Sequence, residues 1–140
     1  SLLVCVVYGR VYFCPYKVVW KEMSGGGFVA AYIGSSEFCG SEKIVIPDHK
    51  VYFVPMQSED EAAYLTAFLN SRMVSDAISA YASALSLGTS VTDYLNIPQF
   101  DKENKTMVTM SQMAKRFKRG EIPSEEEENI LDALVGSLIE

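Results

Sequence analysis

Few residues in this chain have the type and spacing that chemistry demands. His49 is the single histidine; it follows Pro47-Asp48 in a turn and has no second histidine or cysteine at metal-ligand spacing, so no metal site is expected. Cys5, Cys14 and Cys39 are odd in number and lack Cys-x-x-Cys spacing, which suits inert thiols in a reducing cytoplasm. Gly25-Gly26-Gly27 could cradle a phosphate with backbone amides. The triplet matches neither GxxxxGK[ST] nor GxGxxG and no helix pattern follows it, so a flexible loop between strands is the simpler account. Glu59 and Glu61 could be paired for acid and base work, but they fall in the first turn of a helix, where capping explains them. A Ser-His-Asp arrangement lacks the GxSxG elbow that would expose its nucleophile. Trp20 alternates with Val18 along a strand and reads as a core or rim aromatic. No catalytic centre is expected, which leaves binding.

Any binding residue must be positioned by the stretch from Ser58 to Leu85, which reads as two helices broken near Asn70-Ser71. Ser58 supplies an N-cap and Glu61 closes a capping box, while Glu59 and Asp60 place negative charge at the positive end of the helix dipole. Ala62, Leu65, Phe68 and Leu69 recur at helical spacing. Val74, Ala77, Ile78, Tyr81, Ala82 and Leu85 repeat the pattern after the break, so both helices bury one face. Ahead of them, residues 2–8, 10–14, 16–21, 28–33, 43–46 and 50–54 are rich in Val, Tyr and Phe and read as strands, with a polar loop over 34–42 and Pro55 closing the strand region. Residues 86–90 form a loop, 91–97 a short strand or turn ended by Pro98, and 101–105 a polar irregular segment. Met107, Met110, Met113, Ala114 and Phe117 define a third helix ending near Gly120, with the basic cluster Lys115-Arg116-Phe117-Lys118-Arg119 at its C-terminus. Ser124 and Glu127 form a second capping box before a last helix striped by Ile130, Leu131, Leu134, Val135 and Leu138. Strands first and helices second is the α+β arrangement: an N-terminal, mostly antiparallel or mixed β-sheet packed against C-terminal helices.

Length and charge narrow the class further. The 140 residues fit one domain able to bury a sizeable core, and no apolar run reaches the roughly 18 residues of a membrane span. The chain opens at Ser1 with a strand-like run and no initiator Met, which hints at a piece of something longer. Net charge is −6. Of the 18 acids, seven lie within residues 121–140, a segment without Lys or Arg, so residues 1–120 carry 12 bases against 11 acids. The acidity belongs to the terminal helix and does not exclude a nucleic-acid-facing surface on the rest.

Three stretches, taken in order, carry a resemblance. Phe13-Cys14-Pro15-Tyr16-Lys17-Val18-Val19-Trp20, Ala62-Ala63-Tyr64-Leu65-Thr66-Ala67-Phe68-Leu69-Asn70-Ser71 and Ile97-Pro98-Gln99-Phe100-Asp101 are similar to the "F-x-P-Y-K-V-V-W" strand, the "E-A-x-Y-L-x-A-x-L-N-S" helix and the "I-P-x-F" segment of one family. That family is the TaqI-like C-terminal specificity domain of amino-directed DNA methyltransferases and the restriction enzymes fused to them. The terminal stripe also resembles the closing helix of such enzymes, so the similarity covers residues 9–140, and a related helix, loop and Ile-Pro pattern occurs in type I specificity subunits. The family's Asn-Pro-Pro-Tyr type motif has no counterpart, because Pro15, Pro47, Pro55, Pro98 and Pro123 are never adjacent, and no Gly-rich turn for S-adenosylmethionine is present. The resemblance therefore implies a non-catalytic, bacterial-type target recognition domain without its own cofactor. It would read double-stranded DNA for an adenine methyltransferase domain of the same parent chain, which would bind S-adenosylmethionine. On that reading loops reach base edges and cations touch phosphates. The candidate surface is Lys17, Lys21, Ser24, Gly25, Gly26, Gly27, Lys43, Lys50, Thr89 and Ser90, chosen as polar or basic residues in loops or at strand ends. The competing expectation is a protein-interaction module whose acidic last helix and Met-rich third helix pack on another subunit.

Overall fold

Alternation decides which face of each strand is buried, and the computed structural model of the chain shows that face covered by the first helix. It describes residues 15–21, 28–34, 36–38, 41–43, 51–81 and 96–139. The strands expected at 2–8 and 10–14, the Gly25–Gly27 loop and the loop at 86–90 lie outside these. The described strands are β1 (Tyr16–Lys21), β2 (Ala30–Ile33), β3 (Ser36–Phe38), β4 (Ser41–Lys43) and β5 (Val51–Met56). They are followed by α1 (Glu59–Asn70), α2 (Arg72–Tyr81), α3 (Lys105–Lys118) and α4 (Glu125–Ile139). This is an α+β fold.

A three-stranded antiparallel sheet has the order β2-β1-β5, with Val18 opposite both Tyr32 and Val54. Val18, Trp20, Ala30, Tyr32, Val54 and Met56 therefore share one face, and all are buried, with α1 packed against all three strands. On its other side α1 meets α3 through Met107, Met110 and Met113, which are buried in the same core. The Met-rich face is thus spent on the chain's own interior, and the expectation that it packs on another subunit is not met there. Two strand expectations shift. The polar stretch 34–42 contains a hairpin of β3 and β4, with Ser36 opposite Lys43, and β5 runs through Pro55 to Met56. Among the described residues β5 pairs only with β1 and stands at an edge of this sheet, where a proline is tolerated.

The helix ends follow their caps. The Ser58 hydroxyl accepts from Glu61 N at 3.2 Å, and Ser124 Oγ accepts from Glu127 N at 3.2 Å. Asn104, within the stretch expected to be irregular, caps α3 by accepting from the amides of Thr106 and Met107. Gly120 closes α3 at φ 104°, donating to Phe117 O while Glu121 N donates to Arg116 O; this pair of bonds needs the left-handed residue that glycine provides. At the break between α1 and α2, Ser71 is buried and its hydroxyl donates to Phe68 O at 2.9 Å. No helix among the described residues is long and apolar enough to cross a membrane.

Candidate functional site

The residues that carry the resemblance converge on α1. Asn70, its last residue, reaches the outer edge of β2: Ala30 N donates to Asn70 Oδ1 at 2.8 Å and Asn70 Nδ2 donates to Ala30 O at 2.7 Å. At Ala30 one side-chain amide thus takes the two backbone bonds that a partner strand would make. Lys118 extends the same edge cover, donating to Tyr32 O at 2.5 Å with its Nζ 4.4 Å from the Tyr32 ring centroid. Two turns earlier on α1, the Tyr64 hydroxyl donates to Pro98 O at 2.8 Å and its ring lies 5.6 Å from that of Phe100. Asn96, at φ 47°, turns the chain into this Ile97–Phe100 segment; asparagine tolerates that left-handed conformation better than most residues. Between the segment and α1 lies an apolar cleft of about 220 Å³ lined by Met56, Leu65, Ile97, Pro98 and Phe100, with Glu61 and Gln99 also on its wall. Strand β1, helix α1 and the Ile-Pro segment are one packed unit.

No protein-family model, no curated protein and no solved structure matches this chain.

The candidate cations divide. Lys17 faces away from Val18, opposite Ile33 and Pro55, and is 1% exposed; burial lowers its pKa below the ordinary lysine value. A lysine so enclosed does not offer its ammonium to a phosphate, so Lys17 leaves the candidate surface. Its place near a strand end agrees with the sequence, but its burial does not, because alternation alone leaves the second face of the sheet open. Lys21 ends β1 and stands opposite Val51, the residue after Lys50 in the chain, while Trp20 stands opposite Ala30, where β2 begins. The 22–27 stretch leaves from Lys21. Lys21 therefore marks one end of the sheet. Lys43 ends β4. Ser24, Gly25, Gly26, Gly27, Lys50, Thr89 and Ser90 lie outside the described residues.

The basic cluster at the end of α3 is largely committed to internal partners. Lys115 bonds the Asp60 carboxylate, and Arg116 bonds Glu127 at 2.6 Å and Glu121 at 3.3 Å. Arg72, at the start of α2, pairs with Asp132 at 3.1 Å and Glu128 at 4.0 Å, and its Nη2 also donates to Asn129 Oδ1. Asp132 accepts from Met73 N at 3.2 Å as well, supplying the carboxylate that the first turn of α2 lacks in its own sequence. Arg116 and the Ser124 amide hold the Glu127 carboxyl below its ordinary range. Burial pushes Tyr64 up to about 12, and burial together with the Glu59 carboxylate, which accepts from the Tyr32 hydroxyl at 3.0 Å, raises Tyr32 too. Among the described residues no group of three His, Cys, Asp or Glu side chains could hold a metal ion. Asn70, Tyr64, Arg72 and Arg116 do not stand out in the sequence as site residues. The signal for Asn70 is its place as a polar residue closing an apolar helical stripe; the partners of the others lie from 5 to 60 residues away along the chain.

Proposed function

We propose that this chain is a DNA target recognition module, of restriction-modification type and working in the cytoplasm, that reads duplex DNA for a separate adenine methyltransferase domain and performs no chemistry itself. The observation that supports it is the convergence on α1: β1 packs against α1, Asn70 holds Ala30 of the neighbouring strand β2, and Tyr64 bonds Pro98, so the three stretches whose order resembles the specificity-domain family form one packed unit. Such a unit would present its loops to the DNA, with Lys21, Ser24 to Gly27, Lys43, Lys50, Thr89 and Ser90 as the residues that would meet bases or phosphates. It would hold the duplex while the catalytic domain extrudes the adenine. S-adenosylmethionine would belong to that other domain.

The test is a triple variant, Lys21→Gln/Lys43→Gln/Lys50→Gln, titrated with mixed-sequence duplex DNA. Abolishing one phosphate contact lowers the slope of log affinity against log salt by about 0.9. A drop in affinity with a shallower slope supports the surface; an unchanged titration refutes it. The rival, a protein-interaction module, draws on the apolar cleft beside Tyr64 and on Ile122, which is 89% exposed.

A further inference from the structure

Two arginines from elements far apart in sequence converge on one stretch of α4. Arg116, near the end of α3, meets Glu127, and Arg72, at the start of α2, meets Glu128 and Asp132. The two side chains are 40% and 44% exposed, and their carboxylate partners are partly exposed as well, so water reaches the whole array. Exposed ion pairs of this kind contribute little to stability. What holds α4 in place is apolar: Leu131 and Val135 are buried in the core shared with α1, and Leu134 and Leu138 pack against it. The arginines could exchange their partners while the helix stayed docked. A guanidinium fork accepts a phosphodiester as readily as a carboxylate, and a run of acids on one helical turn is a line of anions like a nucleic-acid backbone.

We infer that Arg72 and Arg116 are phosphate-contacting residues whose site is occupied, in the unliganded chain, by Glu127, Glu128 and Asp132 of α4 acting as an internal substitute for the DNA backbone. The inference rests on the DNA-binding reading above. On this account the carboxylates of the docked helix hold two cations until a polyanion takes their place, which restrains nonspecific binding. Glu125 and Glu126 are exposed on the same first turn and reach no cation among the described residues, so they supply a matched control.

The experiment compares Glu127→Gln/Asp132→Asn with Glu125→Gln/Glu126→Gln, two variants of equal net charge. The amides keep acceptor oxygens for Met73 N and Arg116, so the caps survive. Binding to a mixed-sequence duplex of about 20 base pairs is measured across salt concentrations. The first variant should bind more tightly, with a slope steeper by up to about 1.8, the value for two added phosphate contacts, since Glu128 and Glu121 still stand beside Arg72 and Arg116, while the second keeps the wild-type slope. Adding Arg72→Gln/Arg116→Gln to the first should return its slope to wild type. Equal slopes in the two variants would overturn the inference and leave DNA binding standing as a long-range charge effect. No salt-dependent binding in any variant or in the wild type would overturn the DNA reading itself. Should the first variant fail to fold, the Nε–Hε resonances of Arg72 and Arg116 in the wild-type protein provide the second measurement. Both should shift on adding the duplex; signals that stay in place while other resonances move would overturn the inference.

Discussion

Replacing Asn70 by alanine removes the joint between α1 and the edge of β2. Both bonds go at once, the one accepted from Ala30 N at 2.8 Å and the one donated to Ala30 O at 2.7 Å. An intramolecular hydrogen bond contributes about 0.5–1.5 kcal/mol net, so two place the destabilisation at roughly 1–3 kcal/mol. Ala30 is 3% exposed, which argues for the upper part of that range, because its amide and carbonyl would be left without partners. Asn70 itself is exposed and could be replaced by water, which argues for the lower part. The assay is urea unfolding followed by the fluorescence of Trp20, the single tryptophan, buried on β1 6.0 Å from the ring of Phe28. The midpoint should fall with the slope unchanged, and the Ala30 amide should lose protection from hydrogen exchange. A change below about 0.5 kcal/mol with Ala30 still protected would show that the amide clamp does not hold the sheet edge.

Leu69→Ala should cost about 2–5 kcal/mol in the same assay, since Leu69 is fully buried in the core and its removal leaves a cavity; a cost under about half a kcal/mol would contradict its place there. Alkaline stability should report Tyr64. Its folded pKa is raised from 10.0 to about 12, so the protonated phenol stabilises the fold below pH 10 and that contribution fades as pH climbs toward 12, by up to about 3 kcal/mol. Tyr64→Phe should flatten the decline between pH 10 and about 12 in unfolding monitored at each pH, and an undiminished decline would assign it elsewhere.

How much is legible in the sequence follows from how local each determinant is. The break at Ser71, the capping box at Ser58 and the stop at Gly120 are written in neighbouring residues, and all three can be read from them. The antiparallel sheet follows from alternation, but the burial of Lys17 on its second face does not, because alternation leaves that face open and its neighbours there are only partly covered, with Ala31 exposed and Val19 half-buried. The β3–β4 hairpin escapes a reading by composition because its residues, Ser-Glu-Phe and Ser-Glu-Lys, lack the β-branched enrichment that marks a strand. By charge alone the acidic helix is a source of repulsion across the whole surface. Its geometry is more specific, because Glu127, Glu128 and Asp132 each meet an arginine, and only tertiary packing brings Arg72 across 60 residues to Asp132.

DNA affinity as a function of salt tests the functional reading most directly. With Arg72, Arg116 and Lys115 held by carboxylates, Lys21, Lys43 and Lys50 are the proposed phosphate contacts, and the isolated chain should bind mixed-sequence duplex at roughly 10⁻⁴–10⁻⁶ M near physiological salt. Three contacts predict a slope of about −2.7 for log affinity against log salt. A titration that shows no binding, or binding that does not change between about 50 and 200 mM salt, would contradict a phosphate-contacting surface and turn attention to the apolar cleft beside Tyr64 as a site for a protein partner.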